Sequence, residues 1–180
     1  VNNEIYLLDY TNNKLLALNL ETGIQPKLTF DFTLSEFSQI EYIRGTNQLA
    51  VLSNNVIYLI DIAKLDTETS PIVDTLAVTN CSNITAGLSS IITLSDNQIR
   101  QINISNSVMQ TNTKTLDNQI FTEFSTITYD VSSGLIYAFN SINQAINYFE
   151  YSVDNESLDF EPLNNTLLNV STPPLAITIL

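Results

Sequence analysis

The side chains that could carry chemistry are few. The chain of 180 residues has no His and no Trp, and a single Cys and Met. A hydroxyl nucleophile needs a base beside it, and without His the familiar triads are excluded. No G-x-S-x-G elbow occurs either. Zinc sites built on imidazole and thiolate are excluded on the same grounds. Cys81 has no partner for an intrachain disulfide and is expected to be a small, buried, apolar residue. Asp61, Asp66 and Glu68 lie close together but lack the spacing of a calcium loop. They are expected to form a solvated face. A carboxylate pair for glycoside hydrolysis would have to come from separate parts of the chain, and no position singles itself out. The sequence points to no enzyme, no cofactor and no resident metal.

Charge narrows the partners. Six Lys+Arg against nineteen Asp+Glu give a formal net charge of −13. Phosphate binding needs clustered cations, so nucleic acid is a poor partner and no nucleic acid is expected, and anionic membrane surfaces are disfavoured for the same reason. No apolar run reaches the ~20 residues of a transmembrane helix.

Asparagine supplies the remaining candidate sites. Six N-x-S/T sequons occur, at Asn80, Asn83, Asn103, Asn155, Asn164 and Asn169. That number is close to what the Asn, Ser and Thr content yields by chance. Their placement is more informative. Asn80, Asn83, Asn155, Asn164 and Asn169 fall in or beside expected surface connections, where N-linked glycans fit an extracellular setting. Asn103 falls inside an expected strand and reads as packed rather than glycosylated.

The elements that must position these residues repeat. Apolar runs begin at Ile5, Leu49, Ile91 and Leu135, at separations of 44, 42 and 44 residues. An Asn-bearing turn follows each run, its last Asn at 13, 55, 97 and 143. Asn tolerates the left-handed backbone of tight hairpins, so it can replace glycine in a chain with only four. A second apolar strand then closes around a polar residue, at Asn19, Asp61, Asn103 and Glu150. These polar positions are expected to satisfy nearby backbone groups. Gly45, Gly87 and Gly134 precede the first strand of repeats two to four and are expected to close the preceding hairpin.

Upstream of these glycines lies another strand, at Gln39 to Ile43, Asn83 to Ala86 and Ser125 to Tyr129. A polar strand closes each repeat, near Lys27 to Phe32, Ile72 to Val78, Val108 to Leu116 and Leu158 to Leu163. Each repeat is thus a four-stranded antiparallel unit, a-b-c-d. Its first three strands read as covered on both faces and its fourth as an exposed edge. Units of 40–45 residues that stack to bury both faces are the signature of β-propeller blades. The fold expected is all-β, a propeller of four four-stranded blades.

The stretch Ile5-Tyr6-Leu7-Leu8 to Glu21-Thr22-Gly23 carries an apolar strand, an Asn-rich turn, and a second strand ending in Asn-x-x-Thr-Gly. It resembles the YVTN-type propeller repeat. The resemblance covers about half of each repeat and fades in the third and fourth. It implies a propeller fold of the kind common in surface and secreted proteins, with no single chemistry attached.

The first repeat begins at strand b. After the fourth comes Leu175-Ala176-Ile177-Thr178-Ile179-Leu180, which reads as a further strand a. This segment is expected to pair with Ile5, Tyr6, Leu7 and Leu8. It would either close the ring within one chain or add to a second chain. The expected blades are 1–34 with 174–180, 35–80, 81–120 and 121–173. The function expected is that of a non-enzymatic, extracellular or cell-surface structural module. It would bind itself or another surface protein, as a ring, an oligomer or a filament. The alternative is a portion of a larger ligand-binding or carbohydrate-active propeller.

Overall fold

The computed structural model describes residues 4–67, 70–95, 98–110, 114–117, 124–130, 132–142, 144–150 and 162–169. Four antiparallel sheets follow one another along the chain. Sheet 1 contains β1 (Glu4–Asp9), β2 (Lys14–Asn19) and β3 (Gly23–Thr29). Sheet 2 contains β4 (Gln39–Ile43), β5 (Gln48–Ser53), β6 (Val56–Asp61) and β7 (Ile72–Ala77). Sheet 3 contains β8 (Cys81–Ala86), β9 (Ser90–Ser95), β10 (Gln98–Ser105), β11 (Val108–Met109) and β12 (Lys114–Asp117). Sheet 4 contains β13 (Phe124–Asp130), β14 (Leu135–Asn140), β15 (Ala145–Glu150) and β16 (Pro162–Asn169). Sequential strands are neighbours in each sheet, as a meander requires, except that β12 pairs with β10 rather than with β11.

The turns show why this sequence folds into hairpins. Of the non-glycine residues with positive φ, most are asparagines: Asn13, Asn47, Asn54, Asn55, Asn80 and Asn106. Asn54 (φ 49°) and Asn55 (φ 62°) form the two-residue turn that joins Ser53 to Val56. The repeating turn asparagine is therefore seen at 13 and 55; 97 and 143 lie outside the described residues. Asn13 and Asn55 also do something the spacing did not reveal. Asn13 Oδ1 accepts from the Leu34 backbone N–H at 2.9 Å, and Asn55 Oδ1 accepts from that of Cys81 at 2.9 Å. Each turn thereby fastens the connection leading to the next inner strand.

Several boundaries differ from the sequence reading. β3 runs from Gly23 to Thr29 rather than from Lys27 to Phe32. Gly23, at φ 81°, starts the strand directly after the Asn19 turn, while Phe32 leaves it to stack on Tyr58 with ring centroids 3.7 Å apart. The strand expected from Val108 to Leu116 is split, with β11 and β12 pairing at opposite ends of β10. The last polar strand lies at Pro162–Asn169 rather than Leu158 to Leu163.

The glycines differ in how they serve the hairpins. Gly45, Gly87 and Gly134 do lie in the hairpin connections before β5, β9 and β14, but of these three only Gly134, at φ 72°, uses left-handed backbone. Asn47 takes the corresponding place before β5. Gly45 serves close approach instead. Its N–H donates to Leu88 O at 2.7 Å, and a Cβ there would run into that backbone. Gly45→Ala should therefore cost about 1–3 kcal/mol, since backbone cannot move aside as a side chain can. Thermal unfolding of the variant checks this.

Packing is between consecutive sheets. Leu15 meets Leu49, Val51 and Ile60 between sheets 1 and 2. Ile43, Ala50 and Leu52 meet Ile84 and Ile91 between sheets 2 and 3. Ile92, Leu94 and Ile99 meet Ile127, Ile136 and Ala138 between sheets 3 and 4. β5 and β9 are buried along their whole length, as strands covered on both faces must be. β1 is not, and alternates between half-buried and exposed.

Candidate assembly site

Sheet 1 stands apart from the others. Among the described residues it has three strands, and β1, the second strand of its repeat, lies at its edge. One face packs on sheet 2 through Tyr6, Leu8, Leu15 and Leu28. The other carries two apolar rows set by the register. Ile5 lies opposite Leu18, which lies opposite Ile24; Leu7 lies opposite Leu16, which lies opposite Pro26. Ile5 is 56% exposed, Leu7 39% and Ile24 61%. A contiguous apolar sheet face beside a strand edge that no described strand covers is a candidate interaction surface.

A cleft of about 720 Å³ opens beside that edge. Glu4, Ile5 and Tyr6 form one wall, and Ile40, Tyr42 and Leu49 of sheet 2 form another. Tyr6 OH donates to Glu4 Oε2 at 3.0 Å. Burial, and then this hydrogen bond to a carboxylate, hold the phenol above its ordinary range. Lys27 Nζ sits 3.2 Å from Glu4 Oε1 and 3.1 Å from Asp66 Oδ1, tying β3 to the loop after β6. Burial works to lower its pKa, but the bonds to Asp66 and Glu4 outweigh this and leave it raised. Lys27 offsets one of the two carboxylate charges, so the cluster of Glu4, Lys27 and Asp66 stays net negative.

The inner strands of sheets 2 to 4 are linked by side chains. Gln39 Oε1 accepts from the Ile84 N–H at 2.9 Å and from Asn83 Nδ2 at 3.0 Å. Asn83 Oδ1 accepts from the Ile127 N–H at 2.8 Å, and Thr85 Oγ1 from the Tyr129 N–H at 3.0 Å. Glu41 sits against the Ala86 N–H in the same way. Burial pushes its carboxyl up to about 7, with that N–H opposing the shift. Each inner strand thus offers polar side chains to the free backbone donors of the next. Strand patterning concealed this ladder, because its members are separated by 44 or 45 residues.

The residues singled out from the sequence are distributed as follows. Asn80 is exposed in the turn before β8, at φ 44°. Asn83 is half-buried between sheets, and the amide nitrogen that would bear a glycan is bonded to Gln39. Asn103 Oδ1 accepts from Gln101 Nε2 at 2.7 Å. Asn164 and Asn169 lie on β16, whereas Asn155 and the strand Leu175, Ala176, Ile177, Thr178, Ile179, Leu180 lie outside the described residues. Asn19 and Asp61 accept from the backbone N–H groups of Glu21 and Ala63, so there the repeating polar position caps a turn. Cys81 is half-buried, and burial pushes its thiol up, away from reactivity. No helix among the described residues is long and apolar enough to cross a membrane.

No family model and no curated protein matches the chain. Solved structures do. An auxiliary nutrient binding protein from Bacteroides thetaiotaomicron is 14% identical, with a TM-score of 0.60 over 87% of this chain and 37% of its own. A chain of the yeast Nup82–Nup159–Nup116 nucleoporin complex is 15% identical, with a TM-score of 0.54 over 82% and 40%. Hsv2 from Kluyveromyces lactis is 11% identical, with a TM-score of 0.52 over 89% and 49%. The chain thus spans less than half the length of each of these structures. At such identities the likeness is one of fold, and the four antiparallel sheets are propeller-like.

Proposed function

We propose that the protein is a non-enzymatic, extracellular interaction module built from YVTN-type blades, which assembles by strand exchange at the open edge of β1. The carrying observation is the exposed apolar face of sheet 1 beside that edge. Ile5 and Leu7, which a neighbouring blade would cover, are exposed, and this favours a partner from outside the chain over closure of a four-bladed ring within it. A second copy is therefore the better source. Leu175–Leu180 of one copy completes blade 1 of the other, and the last blade of one covers the apolar rows of the other. Two such half-rings make an eight-bladed ring, in keeping with matches that take up less than half of larger chains. Exposed Asn80 offers a glycan site clear of the contact.

Leu7→Lys places a charge at the β1 end of an apolar row, beside the open edge, while leaving the face toward sheet 2 intact. It should weaken assembly by at least about tenfold, because an unpaired buried charge is costly. Sedimentation against protein concentration reads this directly. Unchanged association would exclude the sheet 1 face as the interface.

A second reading is supported by the cleft. Its volume of about 720 Å³ and mixed walls of Ile5, Ile40, Tyr42, Glu4 and Asp66 suit a small ligand in a portion of a larger ligand-binding or carbohydrate-active propeller. The two readings separate on mass, since only the first has the isolated chain associate with itself.

A further inference from the structure

Three inner strands repeat one register. Leu52, Leu94 and Phe139 are each the fifth of six residues in their second strands, and they pair with Gln39, Asn83 and Thr126. Ala50, Ile92 and Tyr137 are each the third, and they pair with Glu41, Thr85 and Thr128. The side chains at these two positions in sheet 2 face donors of sheet 3, and those in sheet 3 serve sheet 4. Thr126 and Thr128 hold the same two positions in sheet 4. Thr126 is 5% exposed. Among the described residues neither threonine hydroxyl has a hydrogen-bond partner. Thr85 shows that a threonine hydroxyl suffices as acceptor at this place.

We propose that Thr126 and Thr128 are the acceptor site for a further inner strand, and that Leu175–Leu180 of the same chain occupies it. The connectors before β4, β8 and β13 have nine, three and six residues. Connectors of that length after Asn169 bring the next inner strand to the segment that begins near Leu175. Two alternate backbone N–H groups of this strand donate to the two threonine hydroxyls. Its opposite edge then remains available to a β1 edge. Under the proposed assembly, on which this inference rests for its partner, that edge belongs to a second copy.

The test is hydrogen exchange of the full chain, read by mass spectrometry on the peptide containing 175–180, with the mass in solution measured on the same samples. Two alternate amides should be protected in the wild type. They should exchange about tenfold faster in T126V/T128V, as loss of one hydrogen bond each implies. Valine keeps the shape of threonine and removes the acceptor. Thr85→Val is the control, and should release Tyr129 in the same way. Thr128→Val alone serves if the double variant does not fold, and should release one of the two amides. No protection in the wild type, or unchanged protection in the variants, overturns the proposal. Protection that depends on the threonines in a chain that stays monomeric upholds it and overturns the assembly instead.

Discussion

Asn83→Ala should destabilise the protein by about 2–4 kcal/mol, the largest loss expected from any polar substitution in it. Three groups depend on this amide. Its Oδ1 holds the Ile127 N–H, its Nδ2 holds Gln39 Oε1, and Gln39 in turn holds the Ile84 N–H. Removing it strands a backbone donor between sheets 3 and 4, where water is largely excluded. An unsatisfied buried donor costs about 1–3 kcal/mol, and the loosened Gln39 adds to that. Urea unfolding should show the lower midpoint with an unchanged slope. Asn83→Asp makes a useful contrast. It keeps the acceptor for Ile127 but places a second oxygen against Gln39 Oε1, so it should recover only part of the loss.

Glu41→Gln should act in the opposite direction. The folded carboxyl lies at about 7, above the ordinary 4.5, chiefly because burial disfavours the anion. The folded state therefore holds its proton where the unfolded chain has released it. Stability from this group is full below about 4.5 and falls as pH rises through about 7. Glutamine still offers an oxygen to the Ala86 N–H, as Gln39 does to Ile84, without a charge to bury. At pH 8 the variant should be more stable by about 2–3 kcal/mol, and its melting temperature should depend less on pH. Equal melting profiles for the two proteins across this range would contradict the burial of Glu41 in the ladder.

Much of the architecture was legible in the sequence because it is local. The hairpins need left-handed backbone, and the asparagines at 13 and 55 announce it at fixed spacing. β4 could be bounded correctly since its alternation is bracketed by a turn and a glycine. What escaped was what lies between sheets. Lys27 and Asp66 are far apart in sequence, and nothing in either segment signals the other. Asn83 looked like a glycosylation motif, while in the structure it fastens two neighbouring inner strands. Gly45 looked like a turn residue, and it is one, but it is also a point where two backbones touch. The exposed face of sheet 1 was hidden for a related reason. Its apolar rows have the same composition as those of the covered sheets, and only packing distinguishes them.

The account stands on the open edge of sheet 1 being completed by a second copy. Sedimentation velocity on the wild-type chain at low and high salt tests this most directly. Two copies that each carry −13 repel one another, and salt screens that repulsion over about 10 Å at ~0.1 M. The expected result is a species of twice 20.1 kDa or more whose share rises with salt. A lone 20.1 kDa species at every concentration and salt level would contradict it.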